Sequence, residues 1–362
     1  MSLDDIIGQG PVLVTGGAGF IGSNLADRLA SEGRRVRIFD SLNRPGVEAN
    51  LDWLTSRHGD LIEPIIGDIR DGAAVNAAAN GIAAAFHFAA QVAVTTSMVD
   101  PRADLDINIM GTFHLLEAVR ASNPKAPVIF ASTNKVYGDL ADFEMELTAN
   151  GYAPEDAALA SHGVSEAQPL DFHTPYGCSK GAADQYVLDY ARSYGMRAAV
   201  LRMSCIYGQR QMGTEDQGWV AHFLIRALEG ETITLFGDGQ QVRDICDVRD
   251  TVSAYLAALR NIDQVSGQAF NWGGGASNSV SLLTLIEEIG RITGRNPQVE
   301  FSDWRPGDQR WFVADARKAD AALGLSPRTP WREGVRDLAT WLSEARGLQI
   351  AEPDRQPQAA AL

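Results

Sequence analysis

The sequence predicts an α/β fold: a Rossmann-type doubly wound parallel sheet with a smaller mixed α/β lobe on its C-terminal side. Three observations predict it. Short apolar runs alternate with helical patterns through the first two hundred residues. A Gly-rich turn, Thr15-Gly16-Gly17-Ala18-Gly19-Phe20-Ile21-Gly22, joins the first run to the first helical pattern. After about residue 205 the alternation gives way to segments rich in Gly and aromatic residues. Buried strands alternating with helices require a parallel sheet covered on both faces.

The expected strands are Pro11–Thr15, Val36–Asp40, Pro64–Asp68, Ala84–Ala89, Val128–Ser132 and Ala198–Met203. Between them lie patterns such as Ile21, Leu25 and Leu29, one face of a helix. Residues 11–204 read as a dinucleotide-binding domain, with returning segments near 240–273. Residues 205–239 and 274–348 read as the smaller lobe, closing over the ligand. Residues 349–362, with two Pro and an Ala-rich end, read as a disordered tail. Roughly forty residues separate Thr133 from Tyr176, and loops of this length are often functional. A plain surface excursion is the other reading.

Composition narrows the function classes. The 362 residues carry a net charge of -15, which disfavours nucleic acid and anionic membranes as partners. It equally repels a dinucleotide or a sugar nucleotide, so local Arg side chains and helix N-termini must overcome the global field. No apolar run approaches the roughly 20 residues of a membrane span. Met1–Gly10 holds Asp4 and Asp5 and no basic stretch, unlike a secretory signal. Cys178, Cys205 and Cys246 are few and widely spaced, as expected in the reducing cytoplasm. No His/Cys cluster has metal-ligand spacing, so no metal is expected; His87 and His114 stand in apolar contexts that suggest packing. No nucleophile-elbow motif supports a Ser/His/Asp hydrolase.

The Gly spacing points to NAD. Gly16 permits a tight turn, Gly19 a close backbone approach to phosphate, and Gly22 close helix–sheet packing. The amides of Phe20 and Ile21 open the helix toward the pyrophosphate. Asp40, at the end of the second strand, suits the adenosine ribose hydroxyls and repels a 2′-phosphate, although Arg44 stands nearby in sequence. Asp68, ending the third strand, is expected at the adenine amino group with Ile69 against the ring; capping a helix is its other reading. Asn43, Ala89 and Ala90, at or just past strand ends, complete the expected cofactor contacts.

Tyr176 and Lys180, in Tyr176-Gly177-Cys178-Ser179-Lys180, share one face of a helix. A free phenol has a pKa of about 10, too high for a neutral-pH base. The Lys180 ammonium and a bound nicotinamide would both favour phenolate, and Lys180 can also hold the nicotinamide ribose. Thr133, just past the fifth strand, can hydrogen-bond the hydroxyl being oxidised. The presence of all three argues against an idle NAD-binding sensor or scaffold.

These motifs together resemble the extended short-chain dehydrogenases/reductases of the NAD-dependent epimerase/dehydratase family, over roughly residues 11 to 345. Arg305-Pro306-Gly307-Asp308 with Ala314-Asp315, and Arg243-Asp244-Ile245, resemble its nucleotide-diphosphate motifs. Gln91–Ser97, Ser132–Asp139, Pro175–Arg192 and Asp216–Val220 resemble its CDP-hexose 2-epimerases. The resemblance implies a nucleotide-sugar substrate epimerised at C2 by transient oxidation. It implies Arg210, Arg243 and Arg305 at the diphosphate. Gln91, Asn134, Lys135 and Ser204 would meet the substrate, and the insertion and the Asp216–Val220 segment would help shape the hexose pocket. It implies a homodimer or homotetramer built on helices around Asn108–Ala121 and Pro175–Tyr194. The Thr133, Tyr176 and Lys180 group alone leaves C4 epimerisation of a UDP-sugar open. Two departures stand out. Cys205 replaces an Asn that contacts phosphate in many members, and Asn134-Lys135 replaces the Asp-Glu pair of the 4,6-dehydratases. The second argues against dehydration.

Overall fold

The structure, a computed structural model, describes residues 3–325 and 327–350; the expected tail beyond residue 350 lies outside the described residues. Seven parallel strands form the central sheet: β1 Val12–Thr15, β2 Val36–Asp40, β3 Ile62–Ile66, β4 Ala84–His87, β5 Val128–Thr133, β6 Ala198–Met203 and β7 Gln268–Trp272. Their order is β7-β6-β5-β4-β1-β2-β3. The order reverses between β1 and β4, and ligands of such sheets bind in the crevice beyond the strand ends at that point.

Alternation of side chains explains why the strands look uniformly apolar. Val12 and Val14 face a core with Leu25, Leu29, Phe86 and Tyr255, while Leu13 faces Leu115, Val119, Phe130 and Val187 on the other side. The third strand runs two residues earlier than the expected Pro64–Asp68. It is the sheet edge, where Pro64 costs no ladder bond. The Gly67 amide donates to the Asp40 carbonyl at 3.0 Å, and the chain then turns out, so Asp68 stands beyond the strand. β4 likewise stops at His87, short of Ala89, and β5 takes in Thr133 as its last residue.

The smaller lobe packs helices Trp219–Glu229, Leu282–Thr293 and Trp331–Arg346 around Leu224, Leu285, Ile289, Val335 and Leu338. Its strand Val242–Asp247 pairs with Ser279–Ser281, Trp311–Phe312 and Cys205–Tyr207. The long insertion is folded. It forms a hairpin, Met145–Thr148 with Gly151–Pro154, and a helix, Ala157–His162. The Tyr152 hydroxyl donates to Asp238 at 2.6 Å, and the Glu166 carboxylate accepts the Asn271 amide of β7 at 2.6 Å. The insertion thus ties the sheet to the smaller lobe. No helix among the described residues is long and apolar enough to cross a membrane.

Candidate active site

The Gly-rich turn leaves β1 and enters the helix Phe20–Ser31. Gly16 has φ +66°, and a Cβ there would lie 2.7 Å from the Ala89 amide nitrogen. A Cβ on Gly22 would lie 2.3 Å from the Gly16 carbonyl oxygen. Neither contact is possible for a side chain, so both positions require glycine. The turn therefore sits directly against the end of β4, and the free amides of the first helical turn open into the crevice.

That crevice is a cavity of about 700 Å³. Gly16, Gly19, Phe20, Ile21, Gly22, Asp40, Asn43, Asp68, Ile69, Ala89 and Ala90 all line it, as do Thr133, Tyr176 and Lys180 at its inner end. Asp40 accepts the Ala18 amide at 3.0 Å and the Leu42 amide at 2.9 Å, one on each oxygen. Each oxygen keeps a second acceptor site for a ribose hydroxyl. Asp68 lines the same wall, but Arg70 grips its carboxylate at 2.6 Å and holds it below the usual carboxylate range. Ser132 Oγ and Gln211 Oε1 are buried in this wall without protein partners. Unfilled acceptors, a helix N-terminus and a glycine cradle fit a dinucleotide.

The helix Thr174–Tyr194 carries the Tyr and the Lys. Pro175 stands in its first turn, Gly195 ends it in the left-handed conformation, and the Tyr176 amide donates to Ser97 Oγ at 3.2 Å. Lys180 Nζ donates to the Ala131 carbonyl at 2.7 Å and lies 4.2 Å from the centre of the Phe130 ring. Burial pushes the Lys180 pKa down to about 7, against the opposing charges of Asp184 and Asp104. Burial pushes the Tyr176 phenol up to about 12, while a hydrogen bond with Thr133 pulls it back and Asp104 pushes it further up. Burial alone therefore favours the neutral phenol, against the phenolate that Lys180 and a bound nicotinamide together would favour. Desolvation is the reason: it penalises both charged forms.

A second cavity, about 270 Å³, opens toward the smaller lobe. Thr133 and Tyr176 line both cavities, as do Val92, Cys205, Asp216 and Trp219, so the two meet around that pair. Asn134, Lys135, Arg243 and Arg305 line the second. Arg243 donates to Asp308 at 2.7 Å, and Lys135 Nζ stands 3.6 Å from the same carboxylate. Arg305 stacks 3.8 Å from the centre of the Phe236 ring and pairs with Glu215 and Asp216. Asn134 donates to Gln309 Oε1 at 2.9 Å. Neither Asn134 nor Lys135 can serve as a carboxylic acid–base pair in these surroundings.

Four features expected on the substrate side lie outside the second cavity. Gln91 and Ser204 line the first cavity and not the second. The Gln91 amide donates to the Ala93 carbonyl and Asp104, each at 2.8 Å, and Ser204 Oγ bonds Asp244. Arg210 lines neither cavity; its guanidinium lies 3.9 Å from the centre of the Trp53 ring and 5.5 Å from that of Trp341. No residue of the insertion between 138 and 175 lines either cavity. His87 is a packed residue: Thr15 and Thr112 hydroxyls bond its two ring nitrogens, and burial pushes its pKa down to about 3.

Sequence reasoning missed several residues. Asp104 is a 1 % exposed carboxylate beside the Gln91 amide and Asn108, and its charge reaches Tyr176 and Lys180. The sequence gives no local signal for it, since it stands among the other acids Asp100 and Asp106. Phe236, Gln241 and His222 in the second cavity come from separate elements that only the fold brings together.

The sequence profile of the NAD dependent epimerase/dehydratase family matches residues 12–273. The chain belongs to that family; it is an enzyme, and its cofactor is NAD. It is 43% identical to the CDP-paratose 2-epimerase of Salmonella typhi over 339 residues, 92% of this chain and 99% of that one. It is 33% identical to the UDP-glucose 4-epimerase of Mycolicibacterium smegmatis over 89% of this chain and 95% of that one. The UDP-glucose 4-epimerase of Thermus thermophilus, solved in complex with NAD, superposes with a TM-score of 0.78 at 30% identity, covering 92% of this chain and 99% of that one.

Proposed function

We propose that the chain is a sugar-nucleotide 2-epimerase acting on a CDP-hexose of the paratose/tyvelose type. The observation that carries this is 43% identity, across nearly the full length of both chains, to a CDP-paratose 2-epimerase, against 33% to a UDP-glucose 4-epimerase. The meeting of two cavities at Thr133 and Tyr176 supports it, because a sugar in one can then face a dinucleotide in the other.

When bound, NAD supplies reversible oxidation at the sugar carbon. Tyr176 takes the proton of the reacting hydroxyl and later returns it, and Thr133 orients that oxygen. Burial denies the Tyr176 phenol a stabilising positive field, which a bound nicotinamide cation would supply. Lys180 holds the nicotinamide ribose and adds positive charge. The turn at Gly16, Gly19 and Gly22 holds the pyrophosphate, Asp40 the ribose, and Ile69 the adenine. Arg243 and Arg305, with Lys135, bind the sugar-nucleotide diphosphate. The keto sugar turns over between the two half-reactions, which inverts the carbon with no net redox change.

The same reading includes a cytoplasmic homodimer or homotetramer. Met110, Phe113, Tyr186 and Tyr194 expose large apolar surface on the helices around 108–121 and 175–194. Sedimentation of the wild type against a Phe113→Glu, Tyr186→Glu variant tests it; an unchanged assembly refutes that interface.

C4 epimerisation of a UDP-sugar is the second reading, favoured by the 4-epimerase relatives. Protein incubated with CDP-paratose and UDP-glucose separately, without added cofactor, distinguishes them by product NMR. Inversion at C2 of the CDP-sugar, with no solvent deuterium at that carbon, is expected. Inversion at C4 of UDP-glucose, with the CDP-sugar untouched, overturns the proposal.

A further inference from the structure

One segment of the smaller lobe, Gln209–Gly218, crosses back over the Rossmann domain. Gln211, Met212, Thr214, Asp216, Gln217 and Gly218 form part of the wall of the NAD cavity. The segment is pinned to the opposite wall at successive residues. Asn24, on the helix that follows the Gly-rich turn, donates to the Gln209 carbonyl at 3.0 Å. The fully buried Asn50 amide donates both to the Ala18 carbonyl of the turn, at 3.1 Å, and to the Arg210 carbonyl, at 3.2 Å. Arg210 is held at φ +69°, a conformation that side chains rarely adopt. Its guanidinium stacks on Trp53 of the Rossmann domain, 3.9 Å from the ring centre, with Trp341 of the smaller lobe at 5.5 Å. Gln211, 8 % exposed, fixes its amide on the Ile206 carbonyl at 3.2 Å, which leaves Oε1 as an acceptor without a protein partner. The segment then reverses at Thr214–Gln217, and its tip pairs with Arg305.

We infer that Gln209–Gly218 is a cofactor clasp: it keeps NAD bound between turnovers, with Arg210 as its latch and Gln211 as a cofactor-facing contact. This rests on the NAD-dependent epimerase reading, which also supplies the reason for it. Epimerisation oxidises and then reduces one sugar, so the dinucleotide reduced in the first half-reaction must be present for the second. A dinucleotide that leaves after the first half strands the keto sugar. Two lobes joined across the cavity by stacked rings and two asparagine amides oppose that loss. Arg210 acts here as a positioning residue and touches no reacting atom.

The test measures cofactor exchange. Wild type, Arg210→Ala and Trp341→Leu are purified, their NAD content is determined after denaturation, and release is followed by exchange with isotopically labelled NAD. Wild type is expected to keep NAD through gel filtration. Arg210→Ala is expected to release it about ten times faster, the scale of a half-buried cation–π stack. Its KM for added NAD should rise, while kcat at saturating NAD stays near wild type. Trp341→Leu, which leaves both Asn contacts, should show a smaller acceleration and serves if Arg210→Ala fails to fold. Equal exchange in wild type and every folded variant overturns the clasp. Wild-type protein that neither contains nor exchanges NAD overturns the cofactor reading itself.

Discussion

Arg202 and Asp184 form a two-point ion pair closed to water, with both bonds at 2.9 Å and side chains 6% and 0% exposed. The pair joins β6 to the helix Thr174–Tyr194, one turn beyond Lys180. Its carboxylate also opposes the burial that depresses the Lys180 pKa. Asp184→Asn keeps the shape and removes the charge, which leaves a buried guanidinium unpaired. The expected cost is about 3–5 kcal/mol in urea denaturation. A loss below about 1 kcal/mol would show that the pair is replaceable by neutral hydrogen bonds.

Tyr176 and Thr133 separate chemistry from binding. Tyr176→Phe removes the phenol that carries the proton at the junction of the cavities. Turnover should fall at least about a hundredfold, with NAD still bound. Thr133→Val removes the hydrogen bond that lowers the Tyr176 pKa. The phenol then titrates higher, so the acid limb of the kcat/KM profile should move to higher pH. A profile that loses amplitude without moving would assign Thr133 to substrate orientation alone.

Lys180 predicts a pH dependence of folding in the cofactor-free protein. Its pKa drops from 10.5 to about 7 on burial. Between those values the unfolded chain binds more protons than the folded one, so stability rises with pH across the window and is lost as pH falls toward 7. The Tyr176 phenol moves the other way, from 10.0 to about 12, so its contribution is complete below pH 10 and lost above it. From pH 7 to 10 the Tyr176 contribution is constant, and the shifted Lys135, Cys205 and Cys246 cancel in a comparison with a Lys180 variant. The stability difference between wild type and Lys180→Met should shift in favour of wild type by up to about 4 kcal/mol over that interval. A difference that stays flat with pH would mean that Lys180 keeps its charge in the fold.

Local signals carried much of this site, and their range marks where reading the sequence stops. Gly16, Gly22, Asp40, Tyr176 and Lys180 work through spacing within one turn or at one strand end, so the chain itself displays them. Asp68 was misplaced by two residues because an edge strand tolerates Pro64 and ends where Gly67 makes its last sheet bond. The setting of Arg210 is hidden from the sequence for a different reason. An Arg beside a suspected anion site looks like an anion ligand, and only the fold places Trp53 and Trp341 against it. Gln91 looked like a sugar contact until Asp104, thirteen residues away, was found to accept from its amide. The Arg210 and Gln91 settings both turn on partners outside their local segment.

Arg243 and Arg305 should separate from Arg210 in kinetics. Both line the substrate cavity, and both are held ready by carboxylates: Arg243 by Asp308, Arg305 by Glu215 and Asp216. A bound diphosphate competes with those carboxylates for the same guanidinium forks. Arg243→Ala removes a binding contact far from the reacting carbon, so KM for the sugar nucleotide should rise about 10- to 100-fold while kcat changes much less. Arg305→Ala should do the same more weakly, since its side chain is 24% exposed against 8% for Arg243. Arg210→Ala should leave the sugar-nucleotide KM unchanged when NAD is saturating, because its side chain reaches neither cavity. A rise in that KM equal to the Arg243 effect would return Arg210 to the diphosphate site.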